Sequence, residues 1–167
     1  MENTDIPQFR TYRGEIELEG VVIQVDIFVD NEMLEDRNSF LISFLCKSNT
    51  IYEMICRNIS KSKEYYVFVL PVDKEVDLKK AAHVVGEKSL AMVHVKDIQA
   101  VTGYIRGGCT SIGMKKKYRT VIHESAREWD TVIVSGGRLG SQILLSPDDL
   151  VKAVDGEMAD IVFCENK

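Results

Sequence analysis

The residues best suited to chemistry lie in one stretch with four glycines, TGYIRGGCTSIGMKKK, residues 102–117. At its centre, Gly107 and Gly108 could place consecutive backbone N–H groups around a developing oxyanion. The same glycines could instead supply the positive φ angles of a structural turn. A phosphate loop is disfavoured, because Gly108 and Gly113 have the spacing of GxxxxGK[ST] but Met114 stands where that motif needs lysine. From composition alone the turn is the simplest interpretation, and the oxyanion cradle stays open beside it.

Two further features of this loop each have two interpretations. Cys109 could act as a thiol nucleophile, but no histidine lies close in sequence to activate it, so a buried or pocket-lining role is favoured. The lysine run 115–117, extended by Arg119, is typical of a solvated edge. Beside a glycine loop the same run could meet a polyanion such as a nucleic-acid backbone.

A second stretch with several glycines, SGGRLGSQ at residues 135–142, follows a predicted strand. It is either a strand-to-strand turn or a second wall of a pocket. In the second case Ser135, Gly136 and Gly137 would face a ligand.

Length and composition predict one acidic domain. The chain has 167 residues and a net charge of -5, which argues against non-specific coating of nucleic acid but allows a small basic patch. The four cysteines form no CxxC pair, so they predict reduced thiols in a cytoplasmic protein, without a metal site or a cofactor. No apolar run approaches the roughly 20 residues of a membrane span.

Patterning along the chain predicts a mixed α/β, or α+β, fold, because strands and helices alternate without regular βαβ units. The predicted elements are a long strand or a hairpin turning near Gly20 at 15–29, helical spacing at 31–47, strands at 65–71, 119–122, 130–135, 142–145 and 159–164, and helices at 77–86, 95–101 and from Ser146 to about 154. Asp77 and Ser146 are the predicted N-caps, and Gly86 and Gly103 are the predicted helix ends.

Four segments, VDLKKAA, TGYIRGGCTSIGMKKK, SGGRLG and ADIV, occur in an order that resembles the YbaK/EbsC family of aminoacyl-tRNA deacylases. That family is related to the editing domain of bacterial prolyl-tRNA synthetase. The resemblance covers about residues 65–163 and leaves residues 1–50 divergent. It implies one domain over residues 1–167, with a compact mixed, barrel-like sheet flanked by helices.

The resemblance also implies a function, namely hydrolysis of mischarged aminoacyl-tRNA, most often Cys-tRNA(Pro). Prolyl-tRNA synthetase would be a second partner, and no membrane, metal or cofactor would take part. Such enzymes depend on positioning and on backbone donors. A non-catalytic tRNA- or synthetase-binding module of the same fold, or a structural partner of a synthetase, are the alternatives.

Residue by residue, the resemblance assigns a catalytic role to Gly107 and Gly108, whose N–H groups would surround the ester carbonyl or the terminal ribose. The resemblance implies that a second set of residues contacts the aminoacyl group, namely Cys109, Thr110, Ser111, Ser135, Gly136 and Gly137. It implies that three lysines contact the tRNA backbone, namely Lys115, Lys116 and Lys79 of the DLKK motif.

Two positions depart from the family pattern. Ser111 replaces the proline that ends the family's GxxxP loop, so no ring fixes φ there. Glu53, in the predicted strand IYEMICR, takes the place of a lysine that the family needs for activity, and the resemblance puts it among the substrate-binding residues. A carboxylate would repel the substrate phosphates that an ammonium group attracts. We predict an active deacylase because the loop glycines and the lysines are present together, and Glu53 is the main reason to consider the binding module.

Overall fold

The computed structural model describes residues 9–18, 21–30, 51–59, 64–138 and 141–164. The helical spacing predicted at 31–47 lies outside these residues. The described elements are the strands β1 (Phe9–Leu18), β2 (Val21–Asp30), β3 (Ile51–Asn58), β4 (Tyr65–Pro71), β5 (Leu90–Met92), β6 (Arg119–His123), β7 (Val132–Ser135), β8 (Ser141–Leu145) and β9 (Glu157–Ala159), the helices α1 (Leu78–Val85), α2 (Ile98–Thr102) and α3 (Pro147–Val154), and the 3₁₀ segments Val95–Asp97 and Glu124–Glu128. The mixed α+β class predicted from the sequence is confirmed.

The described strands form two sheets. One is antiparallel with the order β1-β2-β8-β7, and the other is mixed with the order β5-β3-β4-β6-β9. In the mixed sheet β3 pairs antiparallel to β4, whereas β6 runs parallel to both β4 and β9. The predicted hairpin near Gly20 is confirmed, because Leu18 pairs with Val21 and the two strands run antiparallel from there.

The core lies on both faces of the mixed sheet, because successive side chains of a strand point to opposite faces. On β4, Val67 and Val69 belong to a cluster that includes residues of β7, β8, α2 and α3. Phe68 and Leu70 belong to a second cluster, which α1 covers. The antiparallel sheet and α1 are therefore on opposite sides of the mixed sheet, and β4 is buried on both of its faces.

The predicted helix caps are confirmed. The Asp77 side chain accepts hydrogen bonds from two backbone amides at the start of α1, and Gly86 ends that helix in the left-handed conformation with φ 77°. Ser146 caps α3 in the same way as Asp77 caps α1, with Pro147 in the first turn. Gly103 ends α2 with φ 85°. These local signals fix where the chain turns into and away from the functional loops.

The last predicted strand, 159–164, is wrong in its position. The strand β9 is Glu157–Ala159, and of the following residues Val162 makes only an isolated bridge with Val76. The partner strand β6 ends at His123, which pairs with Ala159, and the Ile161 amide donates to Nδ1 of His123 at 3.4 Å instead of to a strand. Ile161 is fully buried against α1 and β4, so the apolar pattern reflects packing under a helix rather than strand pairing.

Candidate active site

The strand β3 aims one carboxylate towards the glycine loop. Ile51 and Ile55 belong to the core cluster on the α3 side of the mixed sheet, and Cys56 belongs to the cluster on the α1 side. Because side chains alternate along a strand, Glu53 emerges on the same face as Ile51 and Ile55. This face is the one that residues 107–114 cover.

Glu53 is bonded directly to that loop. Its Oε1 atom accepts a hydrogen bond from the Ser111 amide at 3.0 Å and from the Ser111 hydroxyl at 3.3 Å. The Thr110 hydroxyl also bonds to the carboxyl group. The side chain that contacts the glycine loop from β3 is therefore a carboxyl group.

The surroundings of this carboxyl group change its proton affinity. Burial raises the pKa of Glu53 to about 7, although the hydrogen bonds from Ser111 act in the opposite direction. Removal from water makes the charged form less stable, and the hydrogen bonds from Ser111 and Thr110 restore only part of the lost stabilisation. The carboxyl group thus exchanges its proton near neutral pH instead of staying ionised as a surface glutamate does.

The diglycine forms a tight turn at the start of the loop. Gly107 has φ 83°, a conformation that residues with a Cβ rarely adopt. The Gly108 amide donates to the Ile105 carbonyl oxygen at 3.0 Å, so this N–H group is engaged within the loop and does not point at a ligand. Of the two interpretations of the diglycine, the turn therefore describes Gly108. None of the described residues accepts a hydrogen bond from the amide of Gly107, Cys109 or Thr110.

Tyr104 connects the two glycine stretches. Its hydroxyl lies 2.9 Å from the Ile112 carbonyl oxygen and 3.0 Å from that of Gly113, and its single proton serves both. Its ring packs against Gly137, where a Cβ would come within 3.1 Å of the ring atom Cε1. A Cβ at Gly137 would also lie 3.6 Å from the Thr110 methyl group, so the structure brings the loop and the predicted second wall together.

The second wall is held by its own backbone. The Gly136 amide donates to the Ser141 carbonyl oxygen at 2.8 Å, and a Cβ at Gly136 would collide with the Ser141 side chain. The Gly137 amide donates to the Ser135 hydroxyl at 3.3 Å, and Gly137 has φ 88°. Ser135 thus stabilises the turn that lets Gly137 approach Tyr104.

Cys109 does not have the environment of a thiolate nucleophile. Burial and the nearby charge of Glu53 raise the pKa of its thiol to about 11. A hydrogen bond with Thr102 lowers this pKa, but by less than burial raises it. At neutral pH the sulfur is therefore protonated and weakly nucleophilic. A role for Cys109 in lining the substrate pocket stays a prediction.

The glycine loop, Glu53 and the second wall all lie within the part of the sequence that a family model for the aminoacyl-tRNA editing domain matches, residues 45–153. The chain belongs to the aminoacyl-tRNA editing domain family. A relative from Enterococcus faecalis, EbsC, named as a proposed Cys-tRNA(Pro)/Cys-tRNA(Cys) deacylase, is 46% identical over 95 residues. That match covers 57% of this chain and 58% of the relative.

Solved structures share the fold of this editing domain. One is a proposed trans-editing enzyme for prolyl tRNA synthetase, with a TM-score of 0.64 and 20% identity over 70% of this chain and 72% of that chain. Another, the hypothetical protein APE2540, has a TM-score of 0.65 and 20% identity, covering 73% of this chain and 79% of that chain. At this level of identity the likeness establishes the architecture alone.

A groove with several lysines begins at the loop of the editing domain. Its volume is about 400 Å³. We call it the lysine groove; its lining is Ser111, Gly113, Met114, Lys116, Lys117, Tyr118, Thr120, Lys152, Ala153, Val154 and Asp155. Lys117 forms an ion pair with Asp155 at 3.3 Å. Ser111 belongs to both the groove and the Glu53 contact, so the groove leads directly to the loop.

The other predicted tRNA contacts lie in different places. Lys115 is exposed beside the groove, and its amide donates to the Thr102 carbonyl oxygen at 3.1 Å. Lys79 is exposed on α1, which covers the opposite face of the mixed sheet. The structure does not bring Lys79 together with the loop. Its neighbour Lys80 ties α1 to the C-terminal segment through Asp160 and the Val162 carbonyl oxygen.

Sequence reasoning did not single out Tyr104, Tyr118 or Lys152. Tyr104 lies within the quoted loop, and a tyrosine next to a glycine turn was the available signal. Lys152 lies on α3, and nothing in the local sequence relates it to the loop; only folding brings it to the same groove.

In the described residues no group of three or more His, Cys, Asp or Glu is arranged to hold a metal ion. No helix there is long and apolar enough to span a bilayer.

Proposed function

We propose that this chain is an aminoacyl-tRNA deacylase that hydrolyses the ester bond between a wrongly attached amino acid and tRNA, with Cys-tRNA(Pro) as the first candidate substrate. Membership of the editing-domain family supports an aminoacyl-tRNA substrate. The name of the 46% identical relative, a proposed Cys-tRNA(Pro)/Cys-tRNA(Cys) deacylase, supports cysteine as the amino acid that is removed.

The observation that carries this proposal is that Glu53 bonds to the glycine loop, which packs against the second glycine stretch. Hydrolysis of an ester needs donors for the carbonyl oxygen and a group that accepts a proton from water. The Gly108 amide is engaged with Ile105, so the donors that we infer are the amides of Gly107, Cys109 and Thr110. Glu53 is bonded to Ser111, which directly follows Thr110, so its carboxyl group is the proton acceptor that we infer.

The lysine groove supports a nucleic-acid substrate in place of a small ester. It begins at Ser111, next to the carboxyl group, and contains Lys116 and Lys152. Phosphates of the 3′ end of a tRNA are the natural partners of such side chains, because lysine acts as a point charge for phosphate. We propose that the terminal nucleotides lie in this groove while the aminoacyl group enters the loop, and that Lys115 and Lys79 add weaker contacts outside it.

A deacylation assay tests the proposal. The protein is incubated with labelled cysteinyl-tRNA(Pro) and, in parallel, alanyl-tRNA(Pro) and cysteinyl-tRNA(Cys), and the loss of label is followed. We expect release of cysteine well above spontaneous hydrolysis. Failure to deacylate any of these substrates would contradict the proposal.

The alternative is a non-catalytic binding module for tRNA or for prolyl-tRNA synthetase. Glu53 at the position of the family's lysine favours it, since the charge at that point of the site is reversed. It predicts tRNA binding without loss of label. Under either proposal residues 1–167 act as one editing domain and the protein works in the cytoplasm, where tRNA is charged and used.

A further inference from the structure

The Glu53 carboxyl group is held against the glycine loop by hydrogen bonds. Ser111 donates twice to the same oxygen, Oε1, through its amide at 3.0 Å and its hydroxyl at 3.3 Å. The Thr110 hydroxyl bonds to the carboxyl group as well, so two neighbouring loop residues hold it. In the same loop, no described residue accepts a backbone hydrogen bond from the amides of Gly107 and Cys109.

The groups around Glu53 would not neutralise it by ion pairing. The titratable side chains that interact with it are Cys109 and Tyr104, both from the loop and both uncharged at neutral pH. Thr110 and Ser111 contribute neutral donors. Among the described residues, no lysine, arginine or histidine forms a salt bridge with this carboxylate.

We propose that Glu53 is the general base of the deacylation reaction, accepting a proton from the water molecule that attacks the aminoacyl ester. This inference rests on the proposed function. As the water O–H bond breaks, its proton moves to the carboxylate and the water oxygen bonds to the ester carbon. The carbonyl electron pair moves onto oxygen, which the loop amides stabilise. When this intermediate collapses, the bond from carbon to the ribose oxygen breaks, and the proton on Glu53 passes to that oxygen. The products are the free amino acid and a tRNA with a free hydroxyl.

The chemistry of the site suits this role. An efficient general base has a pKa near the working pH, since it must be deprotonated and still be basic enough to remove a proton. Burial raises the pKa of Glu53 to about 7, whereas a glutamate in water has a pKa of 4.5 and is a weaker base. The same burial that makes a buried charge costly therefore gives the carboxylate its basicity. Replacing the family's lysine with Glu53 would then change how the ester is attacked without removing turnover.

The test compares the wild type with Glu53→Gln in single-turnover deacylation of cysteinyl-tRNA(Pro) between pH 5.5 and 8.5. Glutamine keeps a carbonyl oxygen for the Ser111 donors but cannot take a proton. Spontaneous hydrolysis is subtracted at each pH. We expect the wild-type rate to rise about tenfold per pH unit at low pH and to level off above about 7. Glu53→Gln should be slower by about 10²–10⁴-fold and should lack this break.

Three controls separate a base from a purely structural residue. Glu128→Gln, at an exposed position, should keep the wild-type rate and profile. Ser111→Ala, which removes one of the two donors to Oε1, should retain the pH break with its midpoint moved upwards. Glu53→Gln should bind uncharged tRNA as the wild type does and should melt in one cooperative transition, which shows that the variant is folded.

The outcomes distinguish failure of the proposed deacylase function from failure of the general-base role of Glu53. A wild type that deacylates no charged tRNA overturns the proposed function, and the role of Glu53 with it. An active wild type without a break between pH 6 and 8 overturns the general base alone. The same conclusion follows if folded Glu53→Gln is within threefold of the wild-type rate. The α-ammonium group of the substrate also titrates near neutral pH, but it is present with both proteins, so only the difference between their profiles counts.

Discussion

Replacing Glu53 with glutamine should change how the stability of this protein depends on pH. Folding raises the pKa of this carboxyl group from 4.5 to about 7. Between these two values the folded state binds a proton that the unfolded state has lost, so the free energy of unfolding falls as pH rises. At 1.36 kcal/mol for each pKa unit, the fall reaches an upper value of about 3 kcal/mol. The loss is absent below about pH 4.5 and complete above about pH 7.

Urea unfolding at pH 5, 6, 7 and 8, followed by circular dichroism, measures this effect. We expect the wild type to lose up to about 3 kcal/mol across the series and Glu53→Gln to lose much less over the same range. The low pKa of Asp160, caused by its bond with Lys80, places that group's titration below this window. Glu128→Gln should follow the wild type. If the Glu53→Gln and wild-type curves run parallel, the carboxyl group is not buried as described and its assignment as a base loses its physical support.

Three further predictions concern the loop and the groove. Gly137→Ala should lower the free energy of unfolding by about 1–2 kcal/mol, because φ is 88° and the new Cβ would press on Tyr104; an unchanged urea midpoint would contradict this. Tyr104→Phe should cost about 1 kcal/mol, since it removes the hydroxyl that bonds two loop carbonyls, and deacylation should slow as the loop loosens; wild-type values in both assays would show that this bond is dispensable. Lys116→Ala should weaken tRNA binding and make the slope of the logarithm of the binding constant against the logarithm of the salt concentration shallower by about 0.7. Lys88→Ala, at another exposed position, should leave this slope unchanged. Equal slopes in the two variants would exclude Lys116 from the interface.

Much of the fold could be predicted because its signals are local. Asp77 and Gly86 define α1 through an N-cap side chain and a left-handed C-cap, and both features are visible in neighbouring residues. The apolar run at 65–71 identified a strand buried on both faces. The misplaced last strand shows the limit of this approach. Ile161 and Val162 have a strand-like apolar pattern, but the contact between Lys80 and Asp160, which are 80 residues apart, holds that segment under α1.

The candidate site was predicted in its parts but not in its contacts. Gly107, Gly136 and Gly137 were selected as glycines in two loops, and the structure shows that their backbone conformations and close contacts explain the residue type. The catalytic and substrate-binding roles assigned to these residues stay predictions. The local sequence does not mark Tyr104 as a site residue, since its importance comes from a ring that bridges two loops more than thirty residues apart.

The sequence by itself determined α1 and α3 with their caps, the buried strand at 65–71 and the presence of two glycine turns, because each depends on residues within a few positions of one another. Tertiary structure alone decided that Glu53 meets Ser111 across 58 residues and that Lys152 shares a groove with the loop. It also decided the proton affinity of Glu53. A carboxyl group's pKa depends on how much water and how many donors surround it, and those surroundings exist only after distant segments have packed together.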